Sequence, residues 1–130
     1  MKTVLVAAAV AALVCGTAVA QDAPNFIKDT YPDYAIGEAL GLMGALEGDS
    51  AVIDGKTMQL IQLGVSAQIP CTYCVYYHTK AAMAAGASQD EIKAAVAAAA
   101  DTRMWSTVLN GSSYDLDAFK SEVDGLMSSN

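Results

Sequence analysis

Two thiols and the chain's only imidazole stand within one short stretch, Cys71-Thr72-Tyr73-Cys74-Val75-Tyr76-Tyr77-His78. What they can do together depends on the backbone that carries them. Pro70 suits the first turn of a helix, where a missing N–H costs nothing, and Gly86 suits the left-handed position just beyond a helix end. The segment between is therefore expected to be helical. At about 100° per residue, positions 71, 74 and 78 fall within roughly a 60° arc and share one stripe. A disulfide between Cys71 and Cys74 would close a very small loop and contribute little to folding through chain entropy. Such a pair suits redox chemistry better than stapling.

A thiol reacts as the thiolate, which nearby positive charge or a helix N-terminus favours. His78 follows Cys74 by one turn, about 6 Å, and Cys71 by two turns, about 10.5 Å. On that ground Cys74 is the expected activated nucleophile. Cys71 has the helix dipole in its favour and lies within reach to condense with an oxidised Cys74, so the two arguments compete. Plainer readings stand beside them. Cysteines three apart on a helix also serve as small hydrophobes, and His78 could be a hydrogen-bonded core residue. Zinc needs more ligands than the exported chain would hold, and haem attachment needs His directly after the second Cys. No metal and no cofactor is expected.

The compartment bears on this chemistry. Lys2, the apolar run Val4 to Val14 and Ala18-Val19-Ala20 read as a secretory signal. Residues 1–20 are expected to be removed after Ala20, leaving one domain over residues 21–130 that is periplasmic or secreted. The apolar run is too short for a stable span and no later stretch reaches about 20 apolar residues, so the mature form is not expected in a membrane. Removing Lys2 and Cys15 leaves six basic and fourteen acidic residues, a net charge of −8, and two cysteines. With no basic cluster to neutralise phosphates, nucleic acid is not an expected partner. A content of 54% apolar and 16% charged residues belongs to a packed globular protein.

The elements that must position the thiols follow from periodicity. Residues 21–31 show no period and read as an extended arm anchored by Phe26 and Ile27. Pro32-Asp33 opens a helix in which Ile36, Leu40, Met43 and Leu46 form one stripe, and Gly37, Gly41 and Gly44 form another suited to close approach of a second helix. After a loop over 48–55, with Asp54 a candidate cap, a helix from about Lys56 to Ile69 carries Met58, Ile61, Val65 and Ile69 on its apolar face. Gln59, Gln62 and Ser66 lie on a polar one. Beyond the thiol helix, Ser88 and Glu91 have capping-box spacing and start a helix to about Ala100, with Ala94 to Ala100 offering small side chains for tight packing. A short helix with Met104, Trp105 and Val108 is expected next, then a break at Gly111-Ser112-Ser113 and a last helix from about Asp115 to Met127. Met58, Met83, Met104 and Trp105 read as core filler. No strand pattern occurs, so the fold is expected to be all-α, a compact bundle of about six helices.

The stretch from Gln59 to Ile92, with its polar helix face, Cys71-x-x-Cys74-x-x-x-His78, Ala84-Ala85-Gly86-Ala87 and Ser88-Gln89-Asp90-Glu91-Ile92, resembles the carboxymuconolactone decarboxylase family in its alkylhydroperoxidase D-like branch. The resemblance implies the alkylhydroperoxidase D-like fold, assembled as a trimer or a ring of six, with a CxxC pair that reduces peroxides. It makes Cys74 the peroxidatic thiol, Cys71 the partner that closes the disulfide, and His78 part of a proton relay. Gln59 takes the place of a relay glutamate and Tyr73 that of a histidine between the cysteines. Gln59, Tyr73 and Tyr77 are thus candidates for the relay or the pocket. An amide orients water but exchanges no proton at neutral pH, which predicts slow turnover.

The reading that results is an exported thiol-dependent oxidoreductase, acting as a peroxidase through Cys71 and Cys74 with His78. The alternatives are thiol–disulfide exchange with a protein partner, or a non-catalytic oligomeric domain with a structural disulfide. The expected partners are a hydroperoxide or disulfide substrate, a reducing thiol protein and further copies of the chain.

Overall fold

The computed structural model describes residues 22–128. The expected signal segment and the start at Gln21 lie outside them. The described residues form six helices and no strand: α1 (Asn25–Lys28), α2 (Asp33–Glu47), α3 (Gly55–Gln68), α4 (Thr72–Ala84), α5 (Gln89–Gly111) and α6 (Leu116–Ser128). The described residues fall into two compact units, divided after Gly55.

In the first unit the expected extended arm is instead a turn of helix. The Pro24 carbonyl accepts the Ile27 and Lys28 N–H groups at 2.9 and 3.2 Å, and Thr30 Oγ1 donates to the Phe26 carbonyl at 2.6 Å. The turn carries Ile27 into a small core with Ala23 and Ile36, flanked by Leu40, while Phe26 stays exposed and anchors nothing. A Cβ placed at Gly37, Gly41 or Gly44 would meet nothing within 4 Å, so the expected close approach along this stripe does not occur among the described residues.

The second unit carries the thiols. Here α3 lies against α5 at Gly64, where an added Cβ would come 3.4 Å from the Ala95 carbonyl oxygen and 3.6 Å from the Ala99 Cβ. The small side chains of the alanine run admit this approach. Lys56 Nζ reaches Glu91 Oε1 at 2.7 Å, and Gln68 Nε2 reaches the Ala99 carbonyl at 2.7 Å, so α3 is tied to α5 near both of its ends. The buried line of α3 is Gln59, Leu63 and Ser66. This reverses the expected faces, because Ile61, Val65 and Ile69 are exposed. The contacts that orient α3 run through Gly64 and the polar line, and they turn the apolar line outward.

Local chemistry sets the helix ends. At the close of α4, Gly86 has φ +91°, its N–H donates to the Met83 carbonyl at 3.0 Å, and the Ala87 N–H donates to the Ala82 carbonyl at 2.9 Å. That double closure needs the left-handed conformation only glycine adopts without strain, and it brings Ala82 and Ala87 into the core. The capping box at α5 is complete: Glu91 N–H donates to Ser88 Oγ and Ser88 N–H to Glu91 Oε2. The two helices expected after Ser88 are one, for no proline or glycine interrupts 100–104. Thr102 and Thr107 hydroxyls bond back to the Ala98 and Arg103 carbonyls within it. Met83, Met104 and Trp105, expected as core filler, are exposed. Asp115 Oδ1 accepts the Ala118 N–H at 2.8 Å and opens α6.

Glu91 both caps α5 and pairs with Lys56, and these bonds, the lysine first, hold its carboxyl at about 2 against an ordinary 4.5. A carboxyl whose folded pKa is depressed contributes stability above its unfolded pKa and loses it as pH falls toward the folded one. The melting temperature should therefore fall as pH drops from about 4.5 toward 2, and Glu91→Gln should flatten that part of the profile. Thermal unfolding followed by circular dichroism at stepped pH checks this; parallel profiles for both proteins would refute it.

Candidate redox site

The site begins with a proline that withholds a hydrogen bond. In a continuing helix the Ser66 carbonyl would accept from residue 70, but Pro70 has no N–H. The Cys71 N–H takes its place, donating to the Ser66 oxygen at 3.0 Å. This ends α3 and swings the chain so that Cys71, at φ −89° and ψ 98°, becomes the N-cap of α4. Pro70 thus lies between the helices and not in the first turn of the second, as its helix-opening preference suggested.

The N-cap position defines the sulfur chemistry. Cys71 and Cys74 form a disulfide, with Cα atoms 5.3 Å apart, and the Cys74 N–H donates to Cys71 Sγ at 3.2 Å. Serine, threonine, asparagine or aspartate usually accepts such an N–H. Here a sulfur does, at the positive end of a 13-residue helix. Both cysteines are half-buried.

One turn along α4 from Cys74, His78 Nδ1 lies 2.7 Å from Gln59 Oε1. An amide oxygen only accepts, so Nδ1 carries the proton and the neutral ring has its lone pair on Nε2. Gln59 is buried at 6% exposure on α3. The helix that ends at the thiols thus also orients the imidazole. The Tyr77 ring meets the His78 ring edge-on, with centroids 5.0 Å apart. Tyr73 is 90% exposed and takes no part in the Gln59–His78 pair.

The structure therefore joins Cys71 to Cys74, joins Gln59 to His78 with Tyr77 beside it, and leaves Tyr73 in solvent. Sequence reasoning missed Ser66, which is buried at 3% exposure and gives its carbonyl to Cys71 while its hydroxyl bonds the Gln62 carbonyl at 2.6 Å. Its place on the polar face with Gln59 and Gln62 was the available signal. The missing N–H of Pro70, four residues on, was another.

Residues 37–114 match the model of the CMD group, described as the carboxymuconolactone decarboxylase family. Neither a curated protein nor a solved structure matches the chain.

If Gln59 holds the imidazole as described, Gln59→Leu leaves the half-buried Nδ1–H without that acceptor. A loss of about 1–3 kcal/mol in unfolding free energy is expected. Urea denaturation of the two proteins measures it; equal midpoints would show that the pair contributes nothing to the fold.

Proposed function

The chain belongs to the carboxymuconolactone decarboxylase family, and from that premise we propose that it is an exported thiol peroxidase whose Cys71–Cys74 pair cycles between dithiol and disulfide. One observation carries the reading: a disulfide spans the N-terminal turn of α4, with an N–H aimed at one sulfur and an oriented imidazole a turn beyond the other. In the reduced protein the Cys74 thiolate attacks the terminal oxygen of a hydroperoxide. The S–O bond forms as the O–O bond breaks, and the alkoxide leaves as an alcohol after taking a proton, for which His78 is the nearby relay. The Cys71 thiolate then attacks the sulfenic sulfur, forming the disulfide and, with one further proton, releasing water. A reducing dithiol protein returns two electrons and two protons by exchange.

Gln59 favours a second reading in which the same disulfide exchanges with a protein thiol. A carboxylate at that position could pass a proton through the imidazole, whereas the amide fixes the ring's tautomer and passes none. Exchange at the disulfide demands less proton movement than breaking an O–O bond. Self-association belongs to the proposal under either reading. Ile61 and Val65 of α3, Ile69 just beyond it, and Trp105 and Val108 of α5 are exposed apolar side chains that self-association would cover.

Stopped-flow reaction of the reduced protein with an alkyl hydroperoxide separates the roles. Cys74→Ser should abolish the reaction, and Cys71→Ser should retain a single turnover and accumulate a sulfenic acid that dimedone traps. The reverse pattern would assign the first attack to the N-cap thiol. No reaction in the wild type, with the disulfide still reducible by a dithiol protein, would favour exchange. Gln59→Glu should raise the peroxide rate about tenfold near neutral pH and add an acid limb to the pH–rate profile. An unchanged rate in a folded variant would remove Gln59 from the relay.

A further inference from the structure

Gln68, the last residue of α3, is held on three polar atoms. Its Nε2 donates to the Ala99 carbonyl at 2.7 Å, its Oε1 accepts from Arg103 Nε at 2.6 Å, and its carbonyl oxygen accepts from Arg103 Nη2 at 3.4 Å. Ordering a glutamine and an arginine on an exposed surface costs rotamer freedom at both. Full engagement of Gln68 marks a stretch of backbone that is kept in place. Arg103 is the chain's only arginine. Its fixed fork can give two N–H groups to one residue, which a lysine ammonium, a point charge on a flexible stem, does less well. Its charge also stands at the C-terminus of α3, where a cation opposes the helix dipole.

The same last turn of α3 delivers Cys71. Ser66 and Gln68 are neighbours in that turn, one giving its carbonyl to the Cys71 N–H and the other to Arg103. Pro70, with its fixed φ, joins the turn to the cysteine. We propose that Arg103, acting through Gln68, is a positioning residue for the Cys71 sulfur, keeping it at the N-cap of α4 where the Cys74 N–H meets it. The effect is largest in the reduced protein. When two thiols of glutathione reduce the disulfide and leave as glutathione disulfide, Cys71 becomes free to ionise. A thiolate accepts an N–H at a helix N-terminus more strongly than a disulfide sulfur does. Arg103 therefore favours the dithiol form and makes the disulfide a better oxidant. This rests on the reading that the pair cycles, but not on which oxidant closes it.

The test equilibrates the protein with glutathione buffers of stepped ratio and reads the dithiol fraction by alkylation and mass. Thiolate absorbance of the reduced protein is titrated in parallel. Arg103→Met should shift the equilibrium roughly threefold to tenfold toward the disulfide and move the lower thiol titration to higher pH. Arg103→Lys, which keeps the charge, should recover part of the shift. Gln68→Met, which keeps the length and loses both amide contacts, should move both readouts the same way and serves if Arg103→Met does not fold. Folded variants that melt earlier but keep the wild-type equilibrium and titration would make Arg103 a mere brace and overturn the proposal. A wild-type disulfide that no buffer reduces would overturn the cycling reading and the proposal with it. A shifted equilibrium in protein that turns over no peroxide would uphold the proposal and sink only the peroxidase reading.

Discussion

The arrangement of the site depends on one redirected hydrogen bond. Because Pro70 offers no N–H, the Ser66 carbonyl takes the Cys71 N–H at 3.0 Å, and that single substitution of donors ends one helix and begins another. Had position 70 carried an N–H, the ordinary pattern would have let α3 continue, and Cys71 would have sat within a helix and not at its cap. The backbone of Cys71 therefore closes α3 while its side chain opens α4. A residue shared between two helix ends has little freedom to move without disturbing both. That rigidity lets an N–H remain aimed at a sulfur.

The second pair of groups depends on the same helix. Gln59 and Ser66 lie two turns apart on the buried line of α3, one holding the imidazole and the other the cysteine backbone. Polar groups along a buried line are costly unless each is bonded, and these two are bonded to the functional stretch of α4. Gln59 and Ser66 of α3 thus share with Leu63 the work that apolar residues alone do in an ordinary core. Ile61 and Val65 face outward.

This exchange of faces marks the boundary of what could be read from the sequence. The helices of the site, the capping box at Ser88 and Glu91, and the left-handed glycine at position 86 were legible because each rests on neighbours within a few residues. The CxxCxxxH spacing was legible for the same reason. Which side of α3 would be buried was not, since Ile61, Val65 and Ile69 satisfy the usual apolar period and only the docking at Gly64 and Gln59 decides against them. The join of α5 across 100–104 was misread because Met104, Trp105 and Val108 suggested a separate packed helix. The chain there holds no breaker, and the apolar side chains stay exposed. Periodicity shows that a face is apolar; it does not show that the same chain covers it.

Charge placement supplies the remaining support for thiolate chemistry. The chain has fourteen acidic residues, yet none lies between Asp54 and Asp90, the interval that includes α3, the disulfide and α4. An acidic side chain on the same turn as either sulfur would oppose a thiolate through like-charge repulsion, as well as any hydroperoxide or donor that ionises on approach. The two lysines of the interval do not restore a strong field: Lys56 is paired with Glu91, and Lys80 lies 5.8 Å from the centre of the Tyr76 ring. The dipole of α4 and the N–H of Cys74 act directly on Cys71. Both are parts of the backbone and neither titrates. A thiolate supported in this way depends on the geometry of one helix end, and so on the residues of α3 that hold that end in place.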